Sequence, residues 1–321
     1  MLSKSGFYVG EKNELIGAAA DNERGFFEMI DIVLANDDIL KDQNMWYASE
    51  PERLETFDPV RALRFMLSDS TDFSQGMRGL KRLNDRAVST ALSGSAKKGG
   101  QLPPPERQPW ALKDPRLCVT LRAWLPLFRP RLPAVLFTYR HPLEVAKSFQ
   151  KRDGGHLKRW LKLWTVYNKM ALLQSVDLCR VTTSHTRLGE DTKGEMNRII
   201  KELQERCGLG AAAGRELLLK PVDAAKFFDP ALGHQHAAAG GGGAAAASCA
   251  ADPNFRPEPN QPDQEGEARA YAEAMALYCA LEDGRALGRA WALGEEENLD
   301  KIQHDAVLKH EQWHQLHSHH R

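Results

Sequence analysis

A chain of 321 residues, 42% of them hydrophobic and 27% charged, can bury one sizeable core, and its length falls between one large domain and two. Lysine plus arginine equals aspartate plus glutamate at 43 each, so no global field draws the protein to nucleic acid or an anionic membrane. Any anion binding is therefore local.

In chain order, Phe26–Leu40, Pro59–Met66 and Met77–Leu92 carry helical apolar spacing. Val88–Pro109 turns into a Gly/Pro/Lys-rich stretch that reads as an exposed loop. Trp110–Leu112 is expected to be a strand leading to Lys113, Leu121–Phe128 a short amphipathic helix ended by Pro130, and Ala134–Tyr139 a second strand. That order builds a βαβ unit. An amphipathic helix follows over Leu157–Leu172, with Lys158, Arg159, Lys162 and Lys169 on its polar surface, either a solvated face or a steering field for an anionic ligand. Arg180–Thr183 is the next strand, and Met196, Ile199, Ile200 and Leu203 mark a helix closed near Gly208. This alternation predicts an α/β fold with a central parallel sheet.

Residues 1–236 read as the core, 237–264 as a flexible Ala/Gly/Pro-rich linker, 265–293 as a helix packing back on the core, and 294–321 as a polar His-rich tail. His310-Glu311-Gln312-Trp313-His314 matches H-E-x-x-H, but it sits close to the chain's end without the scaffold or third ligand of a zinc protease, so no metal is expected. Cys118, Cys179, Cys207, Cys249 and Cys279 are scattered and odd in number with no C-x-x-C pair, which argues against a disulfide framework or zinc knuckle. No run of about 18 apolar residues and no secretory pattern is present, so the chain as written reads as cytoplasmic and without a membrane segment.

The most informative stretch is Pro133–Arg152. An apolar strand runs into Arg140-His141-Pro142, after which Leu143, Val145, Ala146 and Phe149 fall at helical spacing. Pro142 suits the first helical position, so Arg140 lies at the strand's carboxyl end, where open α/β sheets hold ligands. The Arg140 fork and the Ser148 hydroxyl form a candidate anion clamp. From spacing alone, an arginine simply paired with Glu144 or another carboxylate fits equally well. His141 reads as a residue orienting the Pro142 turn.

This stretch resembles the 3′-phosphate-binding segment of the sulfotransferases, a strand, then Arg, then Ser eight positions on. Other pieces are similar to the bacterial-type branch of that family and occur in its order: Arg24-Gly25-Phe26-Phe27-Glu28 with Asp31-Ile32-Val33 and Asn36-Asp37, then Lys113-Asp114-Pro115-Arg116, then Arg152-Asp153-Gly154 with Trp164 and Tyr167-Asn168, and Phe228-Asp229-Pro230-Ala231-Leu232. The resemblance covers roughly residues 1–236. It implies a P-loop NTPase-like three-layer fold and transfer of a sulfuryl group from 3′-phosphoadenosine 5′-phosphosulfate (PAPS) to a small-molecule, carbohydrate or peptide acceptor, with no metal. It also implies that Arg140 and Ser148 hold the donor's 3′-phosphate. Lys113 stands where cytosolic members carry a lysine near their catalytic histidine, but Asp114 and Pro115 follow it here. The expected base is then a carboxylate, Glu28 or Asp114. Glu28 resembles the glutamate base of the Golgi branches.

One departure weighs against these agreements. The family opens with a strand and a Gly/Arg/Ser/Thr-rich loop that hold the 5′-phosphosulfate. Met1–Gly10 instead resembles the segment just after that loop, so the expectation is either a longer natural protein, which would reopen a Golgi location, or poor donor binding. The alternative expectation is a nucleotide-binding or interaction protein that keeps the fold without the reaction. No Walker lysine favours a kinase or NTPase.

Overall fold

The computed structural model describes residues 2, 7–19, 22, 23, 25–67, 76, 78–80, 109–128, 132–209, 255–257, 259 and 263–287. Arg24, most of the Val88–Pro109 stretch, the Phe228–Leu232 motif, nearly all of the linker and the His-rich tail lie outside the described residues.

Three helices come first, α1 (Ile30–Asp42), the single turn α2 (Pro51–Leu54) and α3 (Pro59–Leu67). Residues 78–80, within the expected third segment, are helical, as is residue 76 just before it. Then come α4 (Leu117–Trp124) with a 3-10 turn over Leu125–Phe128, β1 (Val135–Tyr139), α5 (Pro142–Asp153), α6 (Leu157–Gln174) and β2 (Arg180–Ser184). The single-turn α7 (His185–Glu190), α8 (Thr192–Glu205) and α9 (Gln264–Glu282) complete the set.

β1 and β2 pair in parallel, in register from Val135 opposite Arg180 to Tyr139 opposite Ser184. The crossover between them consists of α5 and α6, which pack on one another. Alternation along the strands sends side chains to opposite faces. Phe137 and Tyr139 join the large core with Trp160, Leu161, Trp164 and Tyr278. Leu136 and Val181 instead meet Met196, Ile199, Ile200 and Leu203 of α8. Helices thus cover both faces of a mixed α/β arrangement, and the parallel pairing is buried as such sheets require.

α6 is the central helix. It packs against α4, α5 and α9, and buries Leu157, Trp160, Leu161 and Trp164 at the helical spacing expected for it. Three of its four basic residues are committed to ion pairs: Lys158 pairs with Asp263, Arg159 with Glu50 at 3.2 Å, and Lys162 with Glu52 at 2.6 Å. Solvated ion pairing is the better account of that face. α9 lies on α6 and α5 and ends at Glu282, short of the expected Leu293, with Gly284 at φ 79° turning the chain where a side chain would be strained.

Several expectations need correction. Trp110–Leu112 is not an extended strand; Trp110 makes a single parallel bridge to Tyr8, with Tyr8 N–H donating to Pro109 O and Ala111 N–H to Tyr8 O, both at 2.8 Å. The parallel crossover described is therefore β1–α5–α6–β2 rather than a unit beginning at Trp110. α4 starts at Leu117, four residues before the expected Leu121, because Asp114-Pro115 forms the turn that launches it. Cys179 and Cys207 are joined in a disulfide, against the reading of the cysteines as unbridged. Among the described residues no helix is long and apolar enough to cross a membrane.

Candidate functional site

Two clusters contain the residues singled out by the sequence. The first lies where β1 ends. Pro142 occupies the first turn of α5 as expected, so Arg140 leaves the strand at its carboxyl edge and Ser148 sits exposed on the helix that follows. Trp164 Nε1 on α6 donates to Arg140 O at 3.1 Å, which fixes the backbone at this corner. The Arg140 side chain is only 28% exposed. Its Nε donates to Glu144 Oε2 at 2.6 Å, while its Nη2 is buried and has no hydrogen-bond partner. The guanidinium thus satisfies the pairing reading on one edge and leaves a donor uncommitted on another. A buried donor without an acceptor costs about 1–3 kcal/mol, which makes this atom the anomaly of the corner. Ser148 makes no hydrogen bond to Arg140 among the described residues.

His141 turns the other way. Its ring lies edge-on to Tyr278 of α9, centroids 5.1 Å apart, and burial holds its pKa below the ordinary histidine value, partly opposed by Glu144 and aided by Arg140 and Lys147. That suits a neutral ring sealing the turn against α9.

The second cluster brings Glu28 to Lys113, 85 positions further along the chain, with Asp114 next to that lysine. Lys113 Nζ donates to Glu28 Oε1, and Arg116 Nη1 lies 3.9 Å from Glu28 Oε2. Glu28 is buried whereas the Lys113 side chain is 54% exposed, so the pair spans from the interior to solvent. Asp114 is wholly enclosed. Its Oδ1 accepts from Arg116 N at 2.9 Å and Arg116 Nη1 at 3.0 Å, and its Oδ2 accepts from Asn36 Nδ2 at 2.8 Å. An aspartate accepting from the backbone two residues on is a turn former, which explains its place before α4.

The network extends further than the sequence reading went. Asn36 Oδ1 accepts from Thr120 Oγ1 at 2.7 Å and from Trp124 Nε1 at 2.8 Å. Arg116 Nε reaches Asp37 Oδ1 at 2.5 Å, and the guanidinium lies over the Tyr47 ring, 5.4 Å from its centroid. Burial by itself would lower the Arg116 pKa, but Asp114 and Asp37 more than offset it, so the cation is firmly held. Burial, with Asp114 adding, pushes the Cys118 thiol up to about 12, which makes it inert. Burial likewise raises the Tyr167 phenol, leaving it a neutral donor to Tyr47 O.

Pairing of Asp114 with the nearby Arg116 is legible in the sequence, whereas Asn36 and Asp37 are motif pieces whose contacts with Asp114 and Arg116 span 78 and 79 positions, which spacing does not reveal. Phe27, beside Glu28, was also missed. It stands 49% exposed at φ 55°, a strained backbone for an aromatic residue. Among the described residues no group of three or more His, Cys, Asp or Glu is placed to hold a metal. No protein-family model, no curated protein and no solved structure matches the chain.

Proposed function

We propose that the protein is a PAPS-dependent sulfotransferase-type enzyme on a P-loop NTPase-like three-layer fold, with Arg140 as its donor clamp. The single observation carrying this reading is the buried, unpartnered Arg140 Nη2 at the carboxyl edge of a parallel strand, beside a helix bearing an exposed Ser148. An anionic 3′-phosphate would give that donor its acceptor, and Ser148 one further hydrogen bond.

Transfer is an in-line displacement: the acceptor oxygen attacks sulfur, the bond to the bridging phosphate oxygen breaks, and 3′,5′-adenosine bisphosphate leaves. The acceptor's proton goes to a carboxylate. Glu28 suits that role better than Asp114, because its partner Lys113 is half in solvent and can turn toward the leaving oxygen. Asp114, fully occupied, positions Arg116 instead.

The rival reading, a nucleotide-binding or interaction protein without turnover, draws on the same cluster, since Glu28 is held by Lys113 and lies near Arg116 in the structure at hand. Calorimetry with 3′,5′-adenosine bisphosphate, together with a sulfuryl-transfer assay, decides between them. Wild type is expected to bind, Arg140→Ala to lose about tenfold or more, as removal of a hydrogen bond to a charged group does, and Glu144→Gln to bind at least as well as wild type. Binding without transfer supports the rival. Absence of heat from wild type rejects both the transferase and the nucleotide-binding reading, and equal binding by Arg140→Ala rejects the clamp.

A further inference from the structure

The bond between Cys179 and Cys207 has no part in that transferase reading. Cys179 immediately precedes β2 and Cys207 follows α8, with a separation of 28 residues and 5.4 Å between their Cα atoms. Both residues are half-buried.

The same two elements are joined in other ways. Thr183 Oγ1 donates to Glu195 Oε1 at 2.6 Å, Arg198 Nη2 donates to Thr182 O at 2.6 Å, and Arg206 reaches Arg180 O. Val181 is fully buried against Met196, Ile199, Ile200 and Leu203. The carboxyl end of α8 is closed without sulfur: Cys207 N–H donates to Glu202 O at 3.2 Å and Leu209 N–H to Leu203 O at 3.0 Å, with Gly208 at φ 65°. A bond added to elements already docked can open and close while they stay docked.

Arg180 adjoins one cysteine and Arg206 the other, and the two guanidiniums are near enough that Arg206, after burial, lowers the Arg180 pKa. Glu202 pairs with Arg206 at 3.0 Å, while the Arg180 guanidinium donates to Leu172 O and Ser175 Oγ at 3.1 Å and to Leu287 O at 2.8 Å. Cys118 and Cys279 lie outside this bond; Cys279 is buried, and burial holds the Cys118 pKa high.

We infer that Cys179–Cys207 is a thiol–disulfide exchange site that accepts a small thiol such as glutathione, or a dithiol reductant, while the protein remains folded. An incoming thiolate attacks one sulfur, forming a mixed disulfide and releasing the other as a thiolate that takes up a proton. A second reductant thiol then attacks the mixed disulfide. The products are two protein thiols and the reductant's disulfide, so two electrons pass to the protein. In a cytoplasmic setting, disulfides of this kind are transient and redox-sensing rather than structural.

The test equilibrates the full chain in glutathione buffers of increasing reducing power, alkylates it with iodoacetamide under native conditions, and maps the labelled peptides while recording circular dichroism. Cys179 and Cys207 are expected to gain label together in one transition, with the spectrum unchanged and Cys118 unlabelled. The Cys207→Ser variant should fold with the wild-type spectrum and gain the mass of one glutathione at Cys179. Labelling that appears only as the spectrum collapses, both cysteines labelled in air-oxidised protein, or a Cys207→Ser chain that does not fold would each overturn the inference. None of these outcomes depends on whether the nucleotide binds.

Discussion

The Asp114 corner and the Arg140 corner are built from the same residue types, a carboxylate, a guanidinium and a turn before a helix, and they end in opposite states. Around Asp114 both carboxylate oxygens, the Asn36 carbonyl and the Arg116 head all have partners. Around Arg140 one donor is committed to Glu144 and another has none. Low local dielectric strengthens a satisfied network and penalises an incomplete one. The closed corner therefore contributes stability by tying α1 to α4, and the open corner retains capacity for an incoming anion. Residue identity alone does not separate the two; the count of satisfied donors does.

The largest expected effect follows from breaking the closed corner. Asp114→Ala leaves the half-buried Arg116 with one carboxylate fewer and Asn36 Nδ2 with no acceptor, a loss of about 3 kcal/mol, the lower end of the usual cost of opening a buried ion pair. Urea denaturation measures it. A loss below about 1 kcal/mol would move Asp114 out of the structural role and back among the candidate bases.

How far these corners were legible in sequence depends on the range of the forces that build them. β1, α5, α6 and β2 were read within one or two residues, because Ala134–Tyr139, Pro142 and the Trp160–Trp164 spacing are local signals. Glu144 as the Arg140 partner was foreseen as one of two options, since it lies four positions on; the leftover Nη2 was not, since it depends on what the fold packs around the guanidinium. The bridge of Trp110 to Tyr8, the Asn36–Asp114 hydrogen bond and the Cys179–Cys207 pairing all join distant segments, so no window of sequence contains them. The single turns α2 and α7 are too short to show a period; α7 rests on a cap, with Ser184 Oγ accepting from Arg187 N at 3.2 Å.

An intermediate effect sharpens the comparison at the edge of the open corner. His141 is buried against Tyr278, and its pKa lies below the ordinary value of 6.5. The unfolded chain therefore binds a proton before the folded one does. The stability this ring contributes is complete above about pH 6.5 and declines as pH falls from there toward the depressed folded value. The decline is at most about 1.4 kcal/mol for each pH unit. Thermal unfolding between pH 5 and 8 should show that slope in wild type and lose it in His141→Gln, measured against the charges that face the ring, Glu144, Arg140 and Lys147. A slope unchanged by the substitution assigns it to another group.

The smallest effect is expected on the basic face of α6, which offers a third state between closed and open: charges that are paired yet exposed. Lys162 and Glu52 meet at 2.6 Å with side chains 37% and 64% exposed, and each shifts the other's pKa toward the charged form through their hydrogen bond. Water and salt screen such a pair, and holding two long side chains together costs rotamer entropy. A double-mutant cycle on Lys162→Ala and Glu52→Ala should return a coupling of about 0–1 kcal/mol that fades as salt is raised. A coupling above about 2 kcal/mol, persisting in high salt, would place this face with the Asp114 corner and make α2, a single turn, an anchored part of the core rather than a surface clasp on α6.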